Sequence, residues 1–371
     1  MVWSLIARRM LSLHYLGGML ALVNAPLCGV PATTTPEPNV PIDSGDNGGF
    51  DKAVTLQLSN DSLNFTGTVG GVDGIDLYNI GVLAPGDLLH IDVQTNSGNL
   101  DAVAAVFDKN QDVQAFSDDR TEDTSDVNPL IDAVIRGPQG NYFLGIAPFP
   151  GSGSSGDYKV ALKITRGDGS TTPKPQIVYL NWNGGQNVVI RNVGTYNLPP
   201  FSGADLGATF ANQTLQIKTR VLELVQQRYA DWNVQFLSSD ANPVPSVAHS
   251  TVYFGGANRA AFAISEKIDT LNADPSDNAI VYSSSFVGAF SVTPTVEQMS
   301  IAMANTVAHE VGHLLGLVHT RECDDEMNSS CGNDSILVTQ AFTRATIDSS
   351  VFPVGNQNAP ELLDETVGAA P

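Results

Sequence analysis

The residues with the most chemical meaning in this chain lie at positions 309–319, in the order His-Glu-Val-Gly-His-Leu-Leu-Gly-Leu-Val-His. On a helix advancing about 100° per residue, side chains four apart stand one above the other, so His309 and His313 can offer their imidazoles to one ion. Two ligands alone hold a metal poorly. Gly316 can end the helix in a left-handed conformation at little cost and turn the chain back, which lets His319 reach the same ion. Three neutral nitrogens suit Zn²⁺ and leave the fourth tetrahedral position for water, as in a catalytic rather than a structural zinc site. Glu310, one residue past a ligand, projects to the substrate side as the general base for that water and later passes the proton to the leaving amine. A bare H-E-x-x-H arises often by chance. The further match of Gly316 and His319 brings the odds of coincidence to on the order of 10⁻⁵ or less.

The whole pattern, H-E-x-x-H-x-x-G-x-x-H, resembles the zinc motif of the metzincin metallopeptidases. The resemblance implies a zinc endopeptidase with His309, His313 and His319 as metal ligands, Glu310 as catalytic residue and a methionine beneath the metal. Met327, in the segment Glu322-Cys323-Asp324-Asp325-Glu326-Met327-Asn328-Ser329, resembles that Met-turn methionine, and also reads as an ordinary core methionine. Its short distance from His319 is similar to that in the matrixin branch. Asn328 and Ser329 stand where matrixins carry Tyr-Pro, and no tyrosine follows as it does in astacins, so the branch stays open. The family resemblance also implies an edge strand that adds extended substrate to the sheet; by position it falls at residues 279–285.

The elements that must position these residues read as strand, helix, strand, strand, active-site helix. Residues 177–182 form a buried strand ended by Asn183-Gly184-Gly185. Residues 215–230 fit an amphipathic helix with Leu215, Val221, Leu222, Leu224, Val225 and Tyr229 as its apolar positions. Strands follow at 232–236, 251–254 and 279–282. This alternation predicts a mixed sheet covered on one face. The active-site helix should begin near Thr295, where Gln298 completes a capping box and Pro294 sets the path of the chain. Ala302, Ala304 and Ala308 permit close packing on the sheet, and Val307, Val311, Leu314 and Leu315 supply core. The Gly255-Gly256 pair reads as a turn, since no lysine accompanies it as in a phosphate loop. His249 sits in a loop with no partner histidine left to it. Residues 335–347 read as a last helix bringing Leu337 and Phe342 near the substrate pocket, and 356–371 as a poorly ordered tail.

Ahead of this lies a stretch of different texture. Residues 50–165 carry short alternating segments, such as 54–58, 88–93, 102–107 and 158–162, separated by Gly, Asp, Asn and Pro. Period-two apolarity with turns this frequent predicts an antiparallel β-sandwich. The string is similar to the bacterial pre-peptidase C-terminal (PPC) domain: Asp76-Leu77-Tyr78, Leu83-Ala84-Pro85-Gly86-Asp87, Leu100-Asp101 through Phe107-Asp108, Ser117-Asp118-Asp119, Gly140-Asn141-Tyr142-Phe143 and Gly156-Asp157-Tyr158 carry the likeness. It lies before the catalytic region, contrary to the usual layout. Asp101, Asp118 and Asp119 offer oxygen ligands for Ca²⁺, though such aspartates more often merely make turns. His90, in a strand, reads as structural. Residues 166–174 form a linker whose Arg166-Gly167-Asp168 is read as a polar turn. The chain is thus multidomain: an N-terminal all-β sandwich plus a C-terminal α/β (α+β) metzincin-like catalytic domain, 175–355, with a mixed sheet and an active-site helix.

Composition limits the setting. With 18 Lys and Arg against 39 Asp and Glu in 371 residues, the net charge is −21, which repels phosphate and excludes a nucleic-acid partner. Residues 1–32 read as an export signal. Arg8 and Arg9 form its basic start, residues 15–27 are too short an apolar run to span a bilayer, and Val30-Pro31-Ala32 offers cleavage after Ala32. Its removal takes two arginines and leaves −23. A secreted monomer with no membrane span follows, with residues 33–49 as a linker. Cys28 keeps three readings: it leaves with the signal, it is lipidated as in a bacterial lipoprotein, or it serves as a propeptide thiolate. The last rests on a resemblance of residues 26–32 to the matrixin cysteine switch, with Leu27 and Ala32 in place of its arginine and aspartate. Cys323 and Cys331 bracket the Met-turn and, in an oxidising compartment, most simply form a disulfide. The expected partner is a protein or peptide substrate. The rival readings are a latent adhesion or binding protein and a zinc hydrolase of a non-peptide substrate.

Overall fold

The computed structural model describes residues 40–42, 45–71, 74–120, 126–191 and 193–371. The export signal expected at 1–32, Cys28 and the first part of the 33–49 linker lie outside the described residues.

Ten short strands open the described chain: β1 (Val40–Pro41), β2 (Val54–Thr55), β3 (Ser62–Val69), β4 (Asp76–Leu83), β5 (Leu88–Thr95), β6 (Ala102–Phe107), β7 (Val113–Ser117), β8 (Leu130–Val134), β9 (Gly140–Pro148) and β10 (Gly156–Thr165). They form two five-stranded sheets in the orders β1-β3-β10-β5-β8 and β2-β4-β9-β6-β7. Phe65, Tyr78, Ile91, Val106, Leu144 and Val160 belong to the core between them. Pairing is antiparallel except where β1 joins β3 and β2 joins β4 in parallel. Residues 40–49 are therefore more than a linker. Val40–Pro41 extend a sheet edge, a position that tolerates proline, and buried Asn47 accepts the Leu77 N–H at 3.0 Å. Two residues can join a ladder without leaving any periodicity in the sequence.

Strand β6 is buried at all six positions. Ala102, Ala104 and Val106 face the sandwich interior, while Val103, Ala105 and Phe107 enter a second core shared with the C-terminal half. The alternation expected of 102–107 is therefore absent: a strand buried on both faces is an unbroken apolar run. Phe352 reaches across this junction: its ring lies 5.5 Å from that of Phe107, and it packs so close to Gly145 that a Cβ there would meet it at 2.8 Å. Residues 166–174 leave the sandwich pinned, with Arg166 paired to Asp61 (2.7 Å) and Asp87 (2.8 Å) and the Gly169 N–H donated to the Gly86 carbonyl at 2.8 Å.

The second half contains β11 (Gln176–Asn181), β12 (Gly185–Ile190), β13 (Gly194–Leu198), α1 (Thr214–Arg228), β14 (Val234–Ser238), β15 (Ser250–Phe254), β16 (Ala263–Ser265), β17 (Asn278–Val281) and α2 (Val296–Leu314). Its main sheet runs β14-β11-β15-β17-β16, parallel except for the antiparallel edge strand β16. Helices α1 and α2 cover one face. On α1, Ile217, Val221, Leu224 and Val225 are buried, whereas Leu215, expected on the apolar side, is 72% exposed. It sits two residues from Ile217, about 200° around the helix and so nearly opposite.

Two expectations about the sheet need correction. Its other face is not bare: the β12–β13 hairpin packs Val188, Ile190 and Leu198 on Ile264, Ile280 and Tyr282. The edge is not at 279–285, because β17 is enclosed between β15 and β16. Three-residue β16 was too short to show in any pattern. Two more corrections concern the chain end. The helix expected over 335–347 is a 3₁₀ turn at Asn333–Leu337 followed by strand β18 (Arg344–Thr346); the β-branched Val338, Thr339, Thr343, Thr346 and Ile347 disfavour a helix. The supposed loose tail is β19 (Asn356–Asn358), paired to β18, and helix α3 (Ala359–Val367), with Leu362, Leu363 and Val367 buried and a proline in its first turn. None of the described helices is long and apolar enough to cross a membrane.

Candidate metal centre

Helix α2 starts where its cap predicts. The Gln298 N–H donates to Thr295 Oγ1 at 3.2 Å, and the Thr295 N–H to Gln298 Oε1 at 3.0 Å. Thirteen residues on from its first, the helix is wholly inside the protein, and His309, Glu310 and His313 are buried. It ends at Leu314. Gly316 then takes φ +96°, and a Cβ there would lie 3.1 Å from the Asp269 carbonyl oxygen, so both the turn and the close approach call for glycine.

The reversed chain brings His319 back. The His313 Nε2 lies 3.1 Å from that of His309 and 3.0 Å from that of His319. The His309 Nδ1 is 2.9 Å from the Glu326 carbonyl oxygen and the His313 Nδ1 2.8 Å from that of Leu317. A carbonyl only accepts, so these Nδ1 atoms carry the protons and the Nε2 lone pairs point inward. Lone pairs held this close repel one another unless a cation lies among them. Tetrahedral zinc with bonds of 2.0–2.1 Å would set its ligands roughly 3.3 Å apart, close to the observed spacing. Burial and the neighbouring imidazoles push His309 and His319 well below the ordinary histidine range, leaving them neutral as ligands must be. The three histidines fit zinc. Among the described residues they are also the only cluster of three or more metal-capable groups.

Met327 is fully buried against the helix. A Cβ on Gly312 would meet its Sδ at 2.5 Å, so the glycine inside the helix is what lets the sulfur approach. Asp325 fixes the turn: Oδ1 accepts the Thr320 hydroxyl (2.6 Å) and the Met327 N–H (2.9 Å), and Oδ2 accepts the Thr343 N–H (2.9 Å) and hydroxyl (2.6 Å). A disulfide joins Cys323 and Cys331 around it, with Cα atoms 5.6 Å apart.

Sequence reasoning missed the residues behind the histidines. Arg228, at the end of α1, pairs with Glu326 at 2.6 Å; the Glu326 side chain is fully buried and that of Arg228 is 9% exposed. The same guanidinium donates to Asn305 Oδ1 at 2.6 Å on α2. Glu326 is the residue whose carbonyl holds His309. Burial pushes its carboxyl up to about 8, against the pull of Arg228. A basic residue in a last helical turn ordinarily marks a solvated, dipole-favoured position, so no local signal exposed this pair. Elsewhere, Asp101 uses its main chain, accepting the Phe149 N–H at 2.6 Å, and the Asp119 carbonyl accepts the Ser117 hydroxyl at 3.1 Å. Exposed His90 pairs with Asp132 at 2.6 Å, and His249 Nδ1 lies 2.7 Å from the Val247 carbonyl oxygen.

No family model matches the sequence, and no curated protein matches it. Among solved structures, the chain is similar to the pre-peptidase C-terminal domain of collagenase from Bacillus anthracis, at 16% identity over 34% of this chain and 98% of that one, TM-score 0.22. It is also similar to archaemetzincin from Methanopyrus kandleri, at 11% identity over 46% of this chain and 89% of that one, TM-score 0.26. A third is metalloproteinase-II from Bacteroides fragilis, at 14% identity over 47% of this chain and 50% of that one, TM-score 0.26. Two of the three are metallopeptidases. What the centre can do is decided by its own side chains.

Proposed function

We propose that the chain is a secreted zinc endopeptidase of metzincin type, with a signal at 1–32, a PPC-like sandwich at 50–165 and the catalytic domain beginning near residue 175. The observation that carries this is the convergence of the His309, His313 and His319 Nε2 atoms beside buried Glu310. Zinc bound there supplies Lewis acidity, polarising the scissile carbonyl and lowering the pKa of the attacking water. The Glu310 carboxylate takes the water proton and delivers it to the leaving amine nitrogen. Met327 underlies the ligands, and the Cys323–Cys331 bridge holds its turn. The antiparallel edge strand β16 is where an extended peptide would add to the sheet, presenting its backbone to the centre.

Zinc content and casein hydrolysis, measured on the chain from Thr33 and on Glu310→Ala with and without a chelator, test this reading. One zinc per chain with chelator-sensitive cleavage, lost in the variant while the metal stays, is expected. Full hydrolysis by Glu310→Ala would sink the mechanism, and zinc without any cleavage would favour a binding protein.

A further inference from the structure

His319 is held through backbone neighbours, and those neighbours arrive from the far end of the chain. The Val318 N–H donates to Gln357 Oε1 at 2.6 Å, and Gln357 Nε2 donates back to the Val318 carbonyl at 2.9 Å. The His319 carbonyl accepts the Asp348 N–H at 2.9 Å, and the Arg321 N–H reaches the Thr346 carbonyl at 3.1 Å. All of these partners lie on or beside the β18–β19 hairpin, in which Ala345 faces Gln357. Gln357 is fully buried. Without its amide, both polar groups of the Val318 peptide would lie inside the protein unmatched, an arrangement that favours a shift of the loop.

The hairpin is in turn held by the sandwich. The Asn356 N–H donates to the Gln111 carbonyl at 2.9 Å, in the turn between β6 and β7, and Asp112 bridges to Asn356. Arg344 grips Asp112 Oδ1 at 2.8 Å and donates to the Asn110 carbonyl at 3.0 Å. Between the two hairpin strands, Phe352 packs on Phe107, and Gly355 lies so close to the Phe107 ring that a Cβ would collide with it. A continuous run of bonds and contacts thus links the β6–β7 turn to β19, to Val318 and to His319.

We propose that Gln357 is a positioning residue for the third metal ligand, and that the N-terminal sandwich completes the metal centre by holding Gln357 in place. The proposal rests on the zinc reading given above. The sandwich then acts as a buttress of this centre and not as a detachable appendage.

The test is zinc affinity of the full chain by competition with a chromophoric chelator, with the visible spectrum of the cobalt(II) form as a second readout of coordination. Gln357→Leu should weaken zinc about tenfold, the lower end of what outer partners of metal ligands command, and alter the cobalt bands. Phe107→Ala, at the junction, should weaken zinc severalfold. Phe65→Ala removes a comparable ring from the sandwich interior, away from the junction; it should lower the melting temperature and leave zinc affinity and cobalt bands unchanged. If Gln357→Leu and Phe107→Ala melt earlier yet bind zinc as the wild type does, the coupling is wrong. Equal weakening in Phe65→Ala also overturns it, by reducing the effect to general destabilisation. A wild-type chain that holds no zinc overturns the site reading first and this proposal with it, a result distinct from the other two.

Discussion

His309 and His313 differ from His319 in how much of the chain it takes to place them. The first two are four residues apart on one buried helix, and α2 alone sets them on one face. His319 lies past the helix end, on a loop whose polar groups are met by Asp348 and Gln357. A helix carries its ligands on a scaffold of its own hydrogen bonds, whereas a loop must borrow rigidity from whatever packs on it. The same contrast divides the supports: Arg228 and Glu326 stand behind the helical pair, and the β18–β19 hairpin and the sandwich stand behind the loop.

The strongest way to break this contrast is to remove the loop histidine itself. His319→Ala should leave the chain nearly free of zinc after dialysis, a loss beyond the roughly 10–100-fold associated with outer partners. Stoichiometric zinc in that variant would mean that the helical pair suffices and that His319 is no ligand. Next in size is Arg228→Leu, which strands the Glu326 carboxylate in the interior. Above pH 8, where that carboxyl is ionised, it should destabilise the fold by about 3–5 kcal/mol, as breaking a buried pair does, and a melting curve like the wild type's at that pH would mean that Arg228 does not hold Glu326. Replacing both Cys323 and Cys331 by serine should remove about 2–3 kcal/mol through freedom gained by the unfolded loop. A denaturant midpoint unchanged by that double substitution would deny the bridge any part in holding the turn that carries Met327.

A pH-dependent effect sharpens the loop side. Burial, then the neighbouring Glu361 and Asp108, push the Glu365 carboxyl up to about 8, against the pull of Arg136. Asp364 adds to the same repulsion. A carboxyl whose pKa rises on folding favours the folded chain less as pH climbs from its unfolded value near 4.5 through 8, because the unfolded chain releases the proton first. Thermal stability of the wild type should therefore fall across that window more steeply than that of Glu365→Gln. Parallel pH profiles would show that α3 does not bury this group against the sandwich.

Much of the centre could be read in the sequence because its signals are local. Thr295 and Gln298 mark the helix start, the four-residue spacing sets two ligands on one face, and Gly316 marks the reversal. Alternation with frequent turns likewise announced the sandwich. What failed to show had no local signature: β16 is three residues long, Leu215 looked apolar without facing the core, and β6 lost its alternation because a second core covers its outer face. Residues 356–371 looked featureless, yet they carry Gln357 and the buried face of α3.

The sequence by itself determined which atoms can bind a metal, the helix that pairs two of them and the glycine that frees the third to return. Those are matters of residue type and of spacing within a few turns, where backbone geometry is nearly fixed. Only the tertiary structure decided which carbonyls orient the imidazoles, that Arg228 pairs with Glu326 behind His309, and that the sandwich and the chain end converge on His319. Such contacts join residues far apart in the chain, and their partners are chosen by packing, which no local pattern encodes.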